Sequence, residues 1–386
     1  MRHSAPSLLL SLGLATTAFV LPACGSSDDT GSGAASTDDF AEAIPGDEEL
    51  ALTLDDTPEN TAQSALTPDD AVGQPSRIRA LAHNVFERVN GLRHQAHTRI
   101  EALISDTDPT VTTKGPLTCK QWQVDQNNVH WQLTSCEKNK KNRHYAFALK
   151  GRPIDAGDDA LVAVFEGEGR VMARFDGKKR GAGAVRFDFD ALAELTGPSA
   201  DLAPAGRVGM GFRAVGAVRQ LNVALHDFAP AGDDTPINAL YHYKHIVDVG
   251  GRIGFLAHGD IVARADDGTL MQGEDGQDEL VRAVVAWNRG VGARAAAAIC
   301  GGTAGEGTCE RIVQCWKADG NVSAEAAPDA DGHGNGHGGH LNFSAAECPA
   351  APAGIGDISD VPAEDETTAP GDDSLPSEPA ADPAEG

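Results

Sequence analysis

The sequence predicts a mainly β protein, in which an antiparallel meander forms a large curved sheet or a barrel, preceded by one N-terminal amphipathic helix. The first observation is a series of short runs over 117–317, rich in β-branched and aromatic residues and separated by Gly and Asp. The second is that these runs follow each other too closely for helical crossovers, which favours hairpins. The predicted strands lie near 119–125, 129–136, 143–150, 160–167, 170–176, 183–190, 206–214, 217–227, 238–249, 252–264, 280–288, 292–300 and 309–316.

The segment 76–105 is the predicted helix, because its apolar residues recur at spacings of three and four along one stripe. These residues are Ile78, Leu81, Val85, Val89, Leu92, Ala96, Ile100 and Leu103. Ser76 supplies an N-cap hydroxyl. Five arginines against two glutamates make the helix basic. Contact with anionic lipid or an acidic tail is therefore an alternative to packing of the stripe on the sheet.

The first hairpin can be predicted in detail. Asn127-Asn128 suits a two-residue type I′ turn, because asparagine tolerates the positive φ that this turn requires. In that register the apolar residues of both strands share one face, and Cys119 lies opposite Cys136. The pair falls at a non-hydrogen-bonded site, where Cα atoms are about 4.5 Å apart. That separation suits a disulfide.

The cysteine count indicates disulfides, because six cysteines remain when Cys24 is set aside and an even set is typical of exported proteins. The six are Cys119, Cys136, Cys300, Cys309, Cys315 and Cys348. We prefer Cys300 with Cys309, which closes a Gly-rich loop, and Cys315 with Cys348, although three pairings of these four exist. No C-x2-C pair occurs, which disfavours zinc.

The formal charge of −26 is concentrated at the two ends of the chain. Residues 25–75 hold 13 Asp or Glu and residues 347–386 hold 11, with no Lys or Arg in either segment. Between them, 77–346 has 33 acidic and 30 basic residues. Such acidic segments bury too little apolar surface to offset their ordering entropy. The expected organisation is a signal at 1–23, a disordered tether at 24–75, a folded domain at 76–348 and a disordered tail at 349–386.

The first residues have the parts of an export signal: a basic start at Arg2 and an uncharged, mostly apolar stretch at 7–20. That stretch is shorter than the about 20 residues that a membrane-spanning helix needs. Leu21-Pro22-Ala23-Cys24 resembles the lipobox of bacterial lipoproteins, in which the cysteine is acylated and becomes the new N-terminus; Pro22 departs from the usual pattern. The resemblance covers only these residues and says nothing about the domain.

The lipobox resemblance implies a location and a partner. It implies an acylated Cys24, labelled by palmitate, that inserts into the lipid bilayer. The absence of Asp directly after Cys24 favours the outer membrane under the enterobacterial sorting rule, with the domain facing the periplasm or the cell surface. A flexible acidic tether of about 50 residues would then span on the order of 40 Å.

No trusted catalytic signature is present, since G-x-S-x-G, H-E-x-x-H and a Walker loop are all missing. One polar cluster follows if Gly250-Gly251 is the turn of a second hairpin. Its members are Tyr241, Tyr243, His258 and Asp260, with His245 on the same face. Such a group can support acid–base chemistry or bind a metal. Cross-strand packing alone also explains these residue types.

A Gly-rich loop at 328–340 carries His333, His337 and His340, spaced by four and three. Three imidazoles can surround zinc, nickel or copper, and glycine lets the chain wrap around the ion. The loop fails as an EF-hand, because His340 stands where the bidentate glutamate would be. A solvent-exposed loop without a metal is the alternative.

Two classes of function remain open. The first is a membrane-anchored cell-envelope lipoprotein whose β domain is a non-enzymatic binding or structural module for an apolar small ligand or an envelope protein. A curved sheet with a helix across its mouth resembles periplasmic lipoprotein carriers at the level of fold. The alternative is a metal-dependent hydrolase or metal-binding protein that uses the histidines. The acidic charge disfavours nucleic acid as a partner.

Overall fold

The computed structural model contains one long antiparallel sheet with short helical segments on one of its faces. It describes residues 39–46, 51–53, 78–79, 82–83, 90–91, 100, 103–105, 107–115, 117–197, 204–229, 235–264, 270–272, 275–326, 348, 350–353 and 355. The signal and lipobox at 1–24 and the histidine loop at 328–340 lie outside these residues.

Fourteen strands form the sheet, and each pairs antiparallel with its neighbour along the chain except that β10 pairs with β13. The strands are β1 (Thr110–Lys114), β2 (Leu117–Gln126), β3 (Val129–Asn139), β4 (His144–Pro153), β5 (Val162–Val171), β6 (Gly181–Asp188), β7 (Ala205–Val215), β8 (Val218–Ala229), β9 (Ile237–Ile246), β10 (Gly250–Gly259), β11 (Val262–Arg264), β12 (Leu270–Gln272), β13 (Glu279–Asn288), β14 (Gly292–Cys300), β15 (Cys309–Lys317) and β16 (Val322–Ala326). A separate ribbon is formed by β11 and β12.

The predicted mainly β meander is confirmed. Over the described residues β1 and β16 are the two edge strands and do not pair with each other, so the sheet is not closed. The strand predicted at 170–176 is wrong, because β5 already ends at Val171. Asp176 and Gly177, with φ of 51° and 73°, turn the chain back towards β6.

One helix replaces the end of a predicted strand. The run 183–190 alternates like a strand, but β6 ends at Asp188 and α2 (Phe189–Thr196) begins there. The Asp188 carboxylate accepts a hydrogen bond from the amide of Ala191 at 2.9 Å and caps the helix. The other helical segments are α1 (Asp39–Glu42) and the 3₁₀ turns Asp158–Ala160 and Gly302–Ala304.

Only part of the predicted helix 76–105 falls within the described residues. Every described position from 78 to 91 and at 100 and 103–105 is helical. Buried in the main core among these are Ile78, Ala82, Ile100 and Leu103. These contacts agree with packing on the sheet, while the continuous helix stays a prediction.

The two faces of the sheet differ in what they contact. Successive residues of a strand point to opposite faces, and on β9 the side that carries Ala239, Tyr241 and Tyr243 belongs to the main core. We call this side the inner face and the other the outer face. The described helical residues, α2 and part of the N-terminal segment pack on the inner face.

All three preferred disulfides are present: Cys119–Cys136, Cys300–Cys309 and Cys315–Cys348. The first hairpin has the predicted register, with Cys119 opposite Cys136. Asn127 and Asn128 have φ of 53° and 63°, as a type I′ turn requires.

Candidate functional site

An N-terminal arm lies across the inner face, and we use this name for residues 39–46 and 51–53. Ile44 and Leu52 are 3% and 2% exposed and belong to the main core. The prediction that 24–75 is a disordered tether is therefore wrong for the arm. The segment 24–75 as a whole is acidic, but the arm itself is mostly apolar, and its Ala43, Ile44 and Leu52 side chains are buried.

The described residues of the arm contact one row of residues across the strands at Tyr145, Gly169 and Tyr243. From β4 to β15 the row consists of Tyr145, Gly169, Gly183, Phe212, Leu221, Tyr243, Ile253, Val285, Ala295 and Gln314. Phe40 lies near its start, with its ring 5.0 Å from that of Tyr145. The chain returns at the far end, where the amide of Ile78 donates to Gln314 Oε1 at 3.4 Å.

The start of the arm is held by a few specific contacts. Ser135 Oγ donates to the carbonyl oxygen of Phe40 at 3.0 Å, and Lys120 Nζ lies 5.3 Å from the centre of the Phe40 ring. A Cβ added to Gly169 would lie 2.3 Å from the carbonyl oxygen of Ala43. Glycine at this position of β5 is what lets the arm backbone approach the sheet.

The end of the arm is fixed by Tyr243. Its hydroxyl donates to the carbonyl oxygen of Thr53 at 3.0 Å and accepts from the Thr53 amide at 3.2 Å. Arg219 donates to Thr53 Oγ1 at 2.8 Å. Asn90 binds both backbone groups of Leu52, at 3.0 and 2.8 Å. An extended segment with its backbone groups bound in this way has a defined register.

The predicted polar cluster is not formed. The turn of this hairpin is at 247–249, not at Gly250-Gly251, so Tyr243 pairs with Ile253 and Tyr241 with Phe255. His258 instead pairs with Asn238 and is exposed on the outer face. Tyr241 and Tyr243 lie on the inner face, so the sheet separates them from His258.

Asp260, the fourth member, binds a loop instead. Its carboxylate accepts hydrogen bonds from the amides of Asp275 and Gly276, at 2.9 and 2.7 Å. Nearby, the fully buried Glu279 accepts from the amides of Ile261 and Thr303, at 3.1 and 3.0 Å. These carboxylates satisfy backbone donors, which is a structural role.

Five phenylalanines form a ladder across the inner face. They are Phe147, Phe165, Phe187, Phe189 and Phe228, with consecutive ring centres 5.5, 4.7, 6.3 and 6.1 Å apart. These spacings lie in the range of favourable aromatic pairs. The ladder links β4, β5, β6, α2 and β8 into one apolar surface.

A small cavity opens beside this ladder. Its volume is about 20 Å³, and its wall is almost entirely apolar. Ile100 and Leu192 close it from the helical side, and Trp131, Leu149 and Phe165 line it from the sheet. A drug-sized ligand needs a pocket of about 300–1,000 Å³, so such a ligand requires the helical side to move.

The metal hypothesis concerns residues that the structure does not describe. His333, His337 and His340 lie outside the described residues, so zinc, nickel or copper at this loop stays a prediction. Within the described ranges, no group of three or more His, Cys, Asp or Glu side chains is placed to hold a metal ion.

Comparison of the chain with protein-family models, with curated proteins and with solved structures finds no match. Among the described helical segments, none is both long enough and apolar enough to cross a membrane.

Sequence reasoning missed the arm and the phenylalanine ladder, although both leave a signal. The alternation Leu50, Leu52, Leu54 within an acidic segment is typical of a strand with one buried face. Phe187 and Phe189 flank Asp188, a residue type that is favoured as an N-cap. The acidic average composition of 24–75 obscured the alternating leucines. The strand-like alternation of 183–190 obscured the N-cap at Asp188.

Proposed function

We propose that this protein is an exported envelope lipoprotein of a bacterial outer membrane, and that its domain is a non-enzymatic module that binds an apolar ligand such as an acyl chain. The observation that supports an apolar ligand is the cavity beside the phenylalanine ladder. This cavity lies between Ile100 and Leu192 on one side and the sheet on the other. Its wall offers an acyl chain apolar contacts and few polar groups to desolvate.

The helical side is the movable wall of this site. Leu192 is half-buried on α2, a helix of two turns that is held by its Asp188 cap. A ligand that displaces Ile100 and Leu192 gains contact with the ladder. The apolar area that it buries is worth about 25 cal/mol per Å².

Lipid analysis of the purified full chain tests the ligand. We expect organic extracts to contain an acyl lipid at about one molecule per chain, as a single site requires. Repeatedly empty preparations that also fail to bind a fluorescent fatty acid would contradict the proposal.

A filled cavity gives a sharper test. Leu192→Trp places an indole at the cavity wall and should abolish binding of the fluorescent fatty acid. Ala193→Trp is the matched control, because Ala193 lies on the same helix and does not line the cavity. Equal binding by both variants would show that the fatty acid binds elsewhere.

The anchor is tested separately. Cys24→Ser should release the protein from membranes and abolish its labelling by palmitate. A Cys24→Ser protein that still carries palmitate and sediments with membranes would show that the anchor is wrong, and the ligand site would be unaffected by that result.

A further inference from the structure

The outer face of the central strands is basic. On β7, β8, β9, β10, β13 and β14 we define the basic face by three rows of outward positions. Its positions are 209, 211, 213, 220, 222, 224, 240, 242, 244, 252, 254, 256, 282, 284, 286, 294, 296 and 298. Five of them are cations, namely Arg213, Lys244, Arg252, Arg282 and Arg294, and none is Asp or Glu.

Lys244 and Arg252 are direct cross-strand partners, while small residues lie between or beside others of these cations. Gly254 and Ala296 flank Val284 in the register, and Ala286 lies between Arg252 and Arg294. Of the three rows, the middle one has no Lys or Arg, one outer row carries four of the five cations, and the other outer row carries Arg282. An extended acidic segment can lie along the centre with its carboxylates directed to the guanidinium groups, which bind carboxylates well because of their fork geometry.

Part of the basic face is buried although it lies opposite the core. Val284 and Ala286 are 0% and 1% exposed, yet neither belongs to the main core cluster. His242, which lies in the row of Val284 but two strands away on β9, is exposed. On the basic face the burial is thus concentrated on β10 and β13, whereas positions 294, 296 and 298 of β14 are half-buried.

The C-terminal segment begins on the outer face, beside the basic face. Cys315 pairs with Arg294 in the register, and its disulfide to Cys348 brings the chain after β16 back to the outer face. Ile355, the last described residue, is 4% exposed and lies outside the main core cluster. The following segment 356–386 holds ten Asp or Glu and no Lys or Arg.

The other acidic segment, 54–75, is attached to the inner face and not to the outer face that carries the basic face. Residues 54–75 are preceded by Thr53, which binds Tyr243 on the inner face, and followed shortly by Ile78, which binds Gln314 on the same face. The sheet therefore lies between the attachment points of this segment and the basic face.

We propose that the acidic C-terminal segment 356–386 is the occupant of the basic face. Opposite charge and the attachment at Cys315–Cys348 both select this segment over the other parts of the chain. A network of several charge pairs on one surface exceeds the small contribution of an isolated surface pair. The interaction is expected to weaken at high ionic strength, since salt screens exposed charges.

Chemical cross-linking of the full chain tests this placement. Lys244 is the lysine of the basic face, so a carbodiimide that joins amines to carboxylates should link it to the acids of 356–386. We expect these links at low salt and their loss at 1 M salt, where the screening length falls to about 3 Å. Links from Lys244 to 54–75 or to a second chain instead would overturn the proposal.

Accessibility of Lys244 provides an independent measurement. In a variant with the ten acids of 356–386 changed to amides, acetylation of Lys244 should become about tenfold faster if the segment is bound nine-tenths of the time. The matched control variant changes the acids of 54–75 to amides and should leave this rate unchanged. Lys150, on β4, serves as an internal control in both variants.

These measurements can contradict the proposal. An unchanged acetylation rate of Lys244 in the first variant would show that segment 356–386 does not cover Lys244. Cooperative urea unfolding of both variants verifies that the sheet is intact. Neither result depends on whether the cavity at the ladder binds an apolar ligand.

Discussion

The hydroxyl of Tyr243 on β9 donates a hydrogen bond to the carbonyl oxygen of Thr53, 190 residues earlier in the chain, at 3.0 Å. The same hydroxyl lies 3.0 Å from Thr53 Oγ1. Tyr243 is 3% exposed and Thr53 is half-buried, so these bonds are partly shielded from water. One side chain near the middle of the sheet thus binds the backbone of the N-terminal arm at Thr53.

Tyr243→Phe should detach the end of the arm. It leaves the half-buried backbone groups of Thr53 without their phenol partner, which costs about 1–3 kcal/mol. Urea unfolding measures the loss. A double-mutant cycle with Thr53→Val isolates the part that belongs to the hydroxyl pair. A Tyr243→Phe protein with unchanged stability and an equally protease-resistant arm would refute this role.

Gly169→Ala should displace the arm from β5. The added methyl group would lie 2.3 Å from the Ala43 carbonyl oxygen, and overpacking of this kind costs about 1–3 kcal/mol. Limited proteolysis between 39 and 53 should become faster. Gly254→Ala is the matched control, because its Cβ would meet only Val284 Cγ2 at 3.8 Å. Similar losses in both variants would mean that the arm is not involved.

Loss of each disulfide should destabilise the domain in the order of the loop that it closes. The separations are 33 residues for Cys315–Cys348, 17 for Cys119–Cys136 and 9 for Cys300–Cys309. Chain entropy predicts losses of about 3.7, 3.1 and 2.6 kcal/mol. Double-serine variants, compared by urea unfolding, test the order. A reversed order would indicate that native contacts, not loop length, determine the losses.

Glu168 should contribute a small pH-dependent stability. The hydrogen bond from Lys138, at 2.6 Å, is the main cause that holds the pKa of Glu168 below its ordinary value of 4.5. A lowered folded-state pKa stabilises the fold above the unfolded-state pKa, and this stability is lost as pH falls through the folded-state pKa. Both side chains are largely exposed, so the contribution is below about 1 kcal/mol.

Unfolding measured between pH 6 and pH 2 tests this contribution. Glu168→Gln should flatten the decline of stability below about pH 4.5. Lys138→Met should return the Glu168 pKa, followed by NMR, towards its ordinary value. A Glu168 pKa that stays low without Lys138 would assign the shift to His144 and Arg170.

The first hairpin could be predicted because one register satisfies three local requirements. The Asn127-Asn128 turn, the apolar face and the Cys119–Cys136 pair all agree. The meander was predictable for the same reason, since short connections leave antiparallel pairing as the main choice.

The prediction for the second hairpin was wrong because Gly250 and Gly251 allow close packing against another strand and do not form the turn. A Cβ on Gly250 would lie 2.2 Å from the Trp287 carbonyl oxygen, and one on Gly251 would lie 2.3 Å from the Trp287 ring. The turn is made by Asp248, which adopts φ 65°. The need for glycine at these positions comes from Trp287 on β13, 37 residues after Gly250, and no local sequence pattern reveals it.

The site was harder to predict than the sheet. The phenylalanine ladder joins residues from five elements, and its geometry depends on registers that the sequence alone leaves open. The arm depends on contacts such as Phe40 with Tyr145, more than 100 residues apart. Composition describes a segment by its average, whereas docking depends on single side chains.

The arm has a consequence for the proposed acylation of Cys24. If Cys24 is acylated, residues 25–38 link it to the first described residue of the arm, Asp39, so the link is shorter than the whole of 24–75. Residues 25–38 can span at most about 50 Å even when fully extended, compared with about 180 Å for the whole of 24–75. With Cys24 acylated as proposed, the domain would stay within about that distance of the lipid headgroups, and its reach towards any partner would be correspondingly short.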